Sequence, residues 1–109
     1  MSSDLRSLRR DVQPWFEALV EVARQAGLRP VVTSTVRSKA VQARLYRRWQ
    51  AGLSPYPAAA PGTSLHEKRI AMDLAVTPMS ALTELGALWE SWGGTWGGRF
   101  DDPIHFDAR

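Results

Sequence analysis

Apolar residues recur at helical spacing near the start of the chain and predict a helix over residues 12–26. Pro14 falls in its first turn, where a missing N–H removes no helical hydrogen bond, and Gly27 is expected to end it. The residues expected to face the core are Phe16, Leu19, Val20, Val22 and Ala23. The stretch before this helix, residues 1–11, is charged and is expected to form either a further helical turn or a frayed arm.

The middle of the chain has the pattern of a strand, a helix and a loop. Residues 30–36 are rich in β-branched side chains, which favours a strand. Residues 38–51 predict a second helix, with Ser38 as its N-cap and Gly52 as its stop. Residues 53–63 contain three prolines and a glycine and predict a loop, the kind of segment in which functional residues concentrate.

A two-residue alternation follows in residues 70–76 and predicts a second strand. The side chains expected on its core face are Ile70, Met72, Leu74 and Val76. Asp73 takes the opposite face, between two alanines. Residues 78–92 predict a third helix, and Trp96 and residues 104–106 predict short strands around a glycine-rich turn. This order of elements predicts an α+β fold in which helices pack on a small antiparallel sheet.

Composition narrows the classes of function. The 109 residues suffice for one domain, 1–109, and 44% of them are hydrophobic, which argues against disorder. The absence of cysteine excludes disulfides, thiolate ligands and a cysteine nucleophile. No apolar run has the length of a membrane span and no signal peptide is recognised, so we expect no stable membrane association. The net charge of +3 suits polyanionic surroundings, but no nucleic-acid motif is recognised and no nucleic-acid partner is expected.

The only two histidines, His66 and His105, suggest a metal site together with Asp73. His66 and Asp73 are seven residues apart, which would put them on opposite faces of one continuous strand. They can meet only if the chain bends between Glu67 and Arg69. Two histidines and one carboxylate, with a fourth position left to water, form the ligand set of a catalytic zinc. The residues alone leave open the alternative that each histidine is an ordinary, partly buried one.

The chain has three segments, residues 33–46, Ser64–Asp73 and Trp96–Phe106, which in this order resemble the M15 zinc peptidases, the group of D-alanyl-D-alanine carboxypeptidases, VanY enzymes and L-alanyl-D-glutamate peptidases. The segment from Ser64 to Asp73 is similar to the group's Ser-x-His-x-x-Gly-x-Ala-x-Asp motif. The segment from Trp96 to Phe106 is similar to its terminal Trp-Gly-Gly…His-Phe region. Residues 33–46 are similar to its Ser-Gly-Tyr-Arg-Ser…Gln…Leu-Tyr region. The resemblance implies a fold like that of hedgehog and the D-Ala-D-Ala peptidases.

The resemblance also implies a role for individual residues. The zinc ligands, for one ion per chain, are implied to be His66, Asp73 and His105. Asp102 matches the general base and acid, and Arg37 matches the arginine that binds substrate and steadies the tetrahedral intermediate. Ser64 and Gln42 match positions that line the substrate cleft. The implied substrate is a peptidoglycan stem peptide.

The chain departs from the group's pattern at two positions, and two other carboxylates are rival bases. Arg69 stands where the motif has glycine, and Val36 stands where it has tyrosine, so the turn after the first histidine must form without glycine. Glu67 is a rival base, although the neighbour of a ligand is expected to be exposed. Asp101 is the other rival, and in extended chain only one of Asp101 and Asp102 can face the metal.

These observations predict a zinc peptidase of the bacterial cell wall. An L-alanyl-D-glutamate endopeptidase of the endolysin type is favoured, because an aspartate three residues before the terminal His-Phe resembles that branch. The alternatives are a D-Ala-D-Ala carboxypeptidase or dipeptidase, and a non-catalytic zinc-binding module of the same fold. We expect a monomer that is made in the cytoplasm and acts on the cell wall after release by a membrane-lysing partner, as phage lysins do.

Overall fold

Within residues 2–109, which the computed structural model describes, three α-helices accompany a four-stranded sheet. The helices α1, α2 and α3 span Gln13–Gln25, Lys39–Gln50 and Leu82–Ser91. The strands β1, β2, β3 and β4 span Val31–Ser34, Ala71–Ala75, Thr95–Trp96 and His105–Asp107. Short 3-10 turns lie at Leu5–Ser7, Met79–Ala81 and Gly97–Phe100. The predicted α+β class is confirmed, with helices packed on a small antiparallel sheet.

The sheet is antiparallel and has the strand order β1-β2-β4-β3, so β2 and β4 are its central strands. In the pairing of β2 with β4, Asp73 lies opposite His105 and Met72 lies opposite Phe106. Residues directly opposite each other project from the same face of a sheet. Asp73 and His105 therefore share one face, although 32 residues (105 − 73) separate them in the chain.

The core lies between α1, α3 and the other face of the sheet. Its largest fully buried side chains include Phe16, Met72, Leu74, Trp89 and Phe106. The rings of Phe16 and Trp89 have centroids 4.8 Å apart, and Trp89 meets Phe106 edge to face at 6.3 Å. Offset and edge-to-face arrangements are the favoured geometries of aromatic pairs. The central strands are thus held against the helices from the side opposite Asp73.

One predicted core residue of the first helix is exposed. Val22 has 38% of its surface accessible, whereas Phe16, Leu19, Val20 and Ala23 are buried. At 100° per residue, position 22 lies about 60° from Leu19 and about 100° or more from the other three around the helix axis, so it falls outside the apolar stripe. The prediction that Val22 faces the core was therefore wrong.

The element bounds agree with the predicted ones to within a few residues. The hydroxyl of Ser38 accepts a hydrogen bond from the backbone N–H of Val41 at 3.2 Å, as expected of the N-cap of α2. The third helix, predicted over residues 78–92, starts instead with the 3-10 turn, and its α-helical part begins at Leu82. No helix of the described residues is long and apolar enough to cross a lipid bilayer.

The stretch before α1 contains a helical turn and packs on the body of the protein. Leu8 and Val12 are buried in the core, at 3% and 8% exposure. The carbonyl of Ser2 accepts a hydrogen bond from the backbone N–H of Thr35 at 2.7 Å, and the carbonyl of Asp4 accepts one from the Thr35 hydroxyl at 3.2 Å. Of the two alternatives for this stretch, the helical turn is the one observed.

Candidate active site

His66 lies in a tight turn that joins the proline-rich loop to β2. The hydroxyl of Ser64 accepts the backbone N–H of His66 at 3.2 Å, and the carbonyl of His66 accepts the N–H of Arg69 at 3.3 Å. Arg69 has φ = 64°, in the left-handed region that glycine adopts without strain. The bend expected between Glu67 and Arg69 is therefore completed by an arginine in the conformation for which the motif has glycine. It turns His66 toward the face that carries Asp73.

Three side chains meet on that face. Nε2 of His66 lies 3.1 Å from Oδ1 of Asp73, and Nδ1 of His105 lies 3.7 Å from the same oxygen. One ligand atom from each of the three residues lies within 4.8 Å of the others. His66 is 3% exposed and Asp73 is 8% exposed. The structure therefore brings together the three residues named from the sequence as a metal group.

The remaining nitrogen of each imidazole is held by an acceptor. Nδ1 of His66 donates to the carbonyl of Thr35 at 2.7 Å. Nε2 of His105 donates to Oδ2 of Asp107 at 2.7 Å. Because a carbonyl and a carboxylate only accept hydrogen bonds, these contacts put the protons on the far nitrogens. Nε2 of His66 and Nδ1 of His105 are thereby left to face Asp73, the arrangement that orients histidine ligands in metal sites.

Asp107 is a site residue that the sequence analysis did not identify. It is fully buried, and its Oδ1 accepts the backbone N–H and the Nε–H of Arg109, both at 3.1 Å. Burial alone raises a carboxyl pKa, but the hydrogen bonds from His105 and Arg109 outweigh it and lower the pKa of Asp107. The available signal was its position two residues after His105, since alternate strand residues share a face.

Arg37 contacts the metal group through Asp73. Its Nη2 donates to Oδ2 of Asp73 at 2.8 Å, and its Nη1 donates to Oε1 of Gln42 at 3.3 Å. Only 15% of the Arg37 side chain is exposed. Burial favours the neutral form of Asp73, but its close contacts with both histidines and the charge of Arg37 hold the pKa of Asp73 well below its usual range. Asp73 is thus an ionised carboxylate inside the protein.

A cleft of about 400 Å³ opens over this group. Arg37, Gln42, Ser64 and Asp102 all line it, together with both histidines. The amide of Gln42 also donates to the carbonyl of Ala59 at 2.8 Å, which ties α2 to the loop that forms one wall. The cleft therefore contains every residue that the sequence analysis assigned to catalysis or substrate binding.

Asp102 and the two rival candidates for the general base, Asp101 and Glu67, lie at different positions relative to the cleft. Burial and the neighbouring charge of Asp73 raise the pKa of Asp102, which is partly buried beside the histidines. Asp101 is exposed, with φ = 63°, and does not line the cleft. The carboxylate of Glu67 accepts the backbone N–H of Gly62 at 3.0 and 2.9 Å, outside the cleft lining. Of the three carboxylates considered, only Asp102 faces the cleft.

The pKa of His105 is also shifted in the metal-free protein. Burial by itself lowers the pKa of an imidazole. The hydrogen bond to Asp107 and the contact with Asp73 outweigh burial and raise the pKa of His105 to about 9. A cation, either a proton or a metal ion, is therefore favoured between His105 and Asp73.

A comparison with family profiles gives the class of the protein. The profile described as VanY, D-alanyl-D-alanine carboxypeptidase, matches residues 5–95, which is most of the chain. The class is that of the peptidoglycan peptidases. The chain belongs to the VanY family of D-alanyl-D-alanine carboxypeptidases, and the resemblance stated from the motifs is confirmed. No curated protein matches the chain significantly.

Solved structures share the fold. A variant of the D,D-pentapeptidase VanY from a VanB-type vancomycin-resistance cassette, solved with Zn(II), superposes with a TM-score of 0.71 at 18% identity. The match covers 92% of this chain and 71% of that one. VanYB in complex with D-alanine-D-alanine gives the same TM-score and identity over 92% and 70% of the two chains. The L-Ala-D-Glu endopeptidase ChiX of Serratia marcescens gives a TM-score of 0.63 at 21% identity, over 94% and 81%.

Proposed function

We propose that this protein is a zinc-dependent peptidase that hydrolyses a peptide bond in peptidoglycan stem peptides. The observation that carries the proposal is the group of His66, Asp73 and His105, whose two histidines line the cleft. Its two inward ring nitrogens are selected by hydrogen bonds on the opposite side of each ring. A hydrogen bond from the far ring nitrogen to a carbonyl or carboxylate is the usual companion of a histidine metal ligand.

The donor set fits zinc. Nε2 of His66, a carboxylate oxygen of Asp73 and Nδ1 of His105 would hold one ion per chain. Nitrogen and oxygen ligands of this kind, three in number, are typical of catalytic rather than structural zinc sites, which are usually closed by four protein ligands. Zinc bound there supplies a Lewis acid that polarises a carbonyl and lowers the pKa of water.

Asp102 supports the proposal as the group that moves the proton. Its carboxylate lines the cleft beside both histidines. In the reaction it takes the proton of the attacking water and gives it to the amine that leaves when the peptide bond breaks. A raised pKa makes a carboxylate a stronger base, and the cause here is partial burial near the charge of Asp73.

Arg37 and Ser64 complete the proposed machinery. Arg37 fixes the orientation of Asp73 through the 2.8 Å contact, and its remaining guanidinium N–H groups can donate to the carbonyl oxygen of the cleaved bond as negative charge develops there. The hydroxyl of Ser64 accepts the N–H of His66, so its own proton is free for the substrate. Gln42 positions Arg37 and one wall of the cleft.

For the bond that is cleaved, we propose L-alanyl-D-glutamate. The aspartate at position 102 and the structural similarity to the endopeptidase ChiX support this choice. The alternative is a D-Ala-D-Ala carboxypeptidase, which the description of the matching family profile and the similarity to VanYB favour. Both candidates use the same proposed zinc group and differ only in the part of the stem peptide that occupies the cleft.

Digestion of purified peptidoglycan by the zinc-loaded protein, with mass spectrometry of the fragments, tests the proposal. Cleavage after L-alanine supports the endopeptidase, and release of D-alanine alone supports the carboxypeptidase. A chelator should abolish cleavage, and His66→Ala should lose both zinc and activity. Bound zinc with no released fragment would instead support a non-catalytic module, and absence of zinc by elemental analysis would refute the metal site.

A further inference from the structure

The substrate cleft has a second lobe beside the metal group. This side lobe has a volume of about 230 Å³ and is lined by Leu45, Arg48, Tyr56 and Ile104, among others. Asp73 and Asp102 also line it, so it opens directly next to the reacting groups. A peptide that places its cleaved bond over the metal group therefore has room for a neighbouring residue, or the groups attached to it, in the side lobe.

Three arginines line the two lobes, and two of them are paired with carboxylates. Arg37 donates to Asp73 at 2.8 Å, and Arg109 donates to Asp107 at 3.1 Å. Arg48 lines the side lobe, is exposed, and forms no ion pair or side-chain hydrogen bond within residues 2–109. A free guanidinium offers a planar set of donors that matches a carboxylate. Arg48 is therefore the one of these three arginines whose whole guanidinium is without a partner within residues 2–109.

The surroundings of Arg48 suit a small anionic group. Leu45 and Ile104 give the side lobe an apolar wall. No acidic residue occurs between Glu21 and Glu67, so α2 carries none that could neutralise Arg48. Of the two carboxylates in the lobe, Asp73 is already paired with Arg37. A compact residue bearing one carboxylate fits both the apolar wall and the free cation.

We propose that Arg48 binds a carboxylate carried by the stem peptide within one residue of the cleaved bond. This inference rests on the proposed function, because it names the part of the substrate that occupies the side lobe. It does not depend on which bond is cut, since D-glutamate in the stem and a C-terminal D-alanine both present a carboxylate next to their amide nitrogen. Arg48 is a specificity residue, and the chemistry of bond cleavage stays with the metal group.

The test uses pairs of synthetic stem peptides that differ only in whether this carboxylate is free or amidated. One pair varies the D-glutamate carboxylate and the other varies the terminal D-alanine carboxylate. Affinity is measured in an Asp102→Asn background, in which turnover is expected to be about 10²- to 10⁴-fold slower, and kcat/KM is measured with Asp102 intact. The protein should prefer the free acid of one pair about tenfold or more, the size expected for a charge-assisted hydrogen bond. Arg48→Gln should abolish that preference.

Arg47→Gln is the matched control, because Arg47 is an exposed neighbour on α2 that does not line either lobe and the change in net charge is the same. It should retain the preference. Arg48→Lys should retain only part of it, because the charge stays and the planar fork is lost. An Arg48→Gln variant that weakens free and amidated peptides equally, or neither, overturns the inference. So does a wild-type protein that binds no peptide or shows no preference.

The two hypotheses fail in different ways. A protein that binds the free acid through Arg48 but cleaves neither peptide overturns the proposed function and keeps the carboxylate site. A protein that cleaves both forms of each peptide equally well keeps the proposed function and overturns the site. Thermal midpoints of Arg48→Gln and Arg47→Gln equal to that of the wild type would show that neither exposed change disturbs the fold.

Discussion

At the scale of single residues, Asp107 decides how His105 faces the metal group. The carboxylate is fully buried and accepts the Nε2 proton of His105 at 2.7 Å. An imidazole without such a partner can turn or exchange its proton between the two nitrogens. Loss of an acceptor of this kind typically weakens metal binding by 10- to 100-fold.

We therefore expect Asp107→Asn to bind zinc about 10- to 100-fold more weakly than the wild type. Competition with a chromophoric chelator measures the affinity. Asp101→Asn is the matched control, since Asp101 is exposed and outside the cleft, and its zinc affinity should be unchanged. An Asp107→Asn protein that is less stable but binds zinc normally would show that Asp107 supports only the fold.

The role of Asp102 as the general base is tested by a variant whose side chain cannot take a proton. Asp102→Asn keeps the size of the side chain, so zinc binding and fold should persist while the rate of peptide hydrolysis falls by about 10²- to 10⁴-fold. The measurement is the initial rate on a stem peptide at equal zinc occupancy. Normal activity in Asp102→Asn together with a loss in Asp101→Asn or Glu67→Gln would move the role to another carboxylate.

Single residues also show what the sequence could not supply. The metal group was predictable because it uses the only two histidines of the chain and the one aspartate inside a strand predicted from the sequence. Asp107 was missed because a carboxylate near the end of a short segment has no pattern of its own until the strand is known. The pairing of Arg37 with Asp73 was hidden as well, since these residues are 36 positions apart and meet only across the folded sheet.

At the scale of elements, the turn between His66 and β2 contains a backbone conformation that does not suit its sequence. Arg69 has φ = 64°, and a side chain in this region costs about 1–2 kcal/mol relative to the right-handed conformation. Glycine adopts it without that cost but loses more entropy on folding. The observed turn shows that hydrogen bonds around it are sufficient to hold an arginine there.

Arg69→Gly should accordingly stabilise the protein by roughly 1 kcal/mol, the difference between relieved strain and added chain entropy. Urea unfolding of both proteins measures the change, and zinc affinity should be kept. Lys68→Gly is the control, because Lys68 is not among the residues with positive φ and should only lose stability. A destabilised Arg69→Gly protein would show that the arginine side chain itself supports the turn.

Local signals predicted the elements better than they predicted how the N-terminal stretch is used. Ser38 and Pro14 marked two helix starts correctly, because capping and first-turn proline depend only on neighbouring residues. The stretch before α1 was left open between two forms. Its hydrogen bonds reach Thr35, 31 positions from Asp4, and its charges masked the apolar Leu8 that anchors it.

At the scale of the whole molecule, the pKa of His105 makes the stability of the metal-free protein depend on pH. The raised pKa, about 9 against an ordinary 6.5, means that the folded state binds this proton more tightly than the unfolded state. The contribution of this proton to the free energy of unfolding is complete below about pH 6.5 and is lost as the pH rises through about 9.

With chelator present, we expect the wild type to unfold at a lower urea concentration at about pH 10 than at about pH 6. His105→Gln should show a smaller difference between the two conditions, because it lacks the titrating group. Far-ultraviolet circular dichroism at each pH gives the two midpoints. The same pH dependence in both proteins would show that other groups dominate.

The pairing of Asp73 with His105 across the central strands has a consequence for chain topology. One zinc ion held by both residues would close a loop of 32 residues (105 − 73) and so cross-link a chain that contains no cysteine. A covalent bridge over about 30 residues stabilises by about 3–4 kcal/mol, largely by restricting the unfolded chain. Small proteins outside the cell commonly obtain this effect from disulfides. Here a chelator would remove the cross-link, whereas a reducing agent would leave it intact. The thermal midpoint should therefore fall when chelator is added and stay constant when thiol is added.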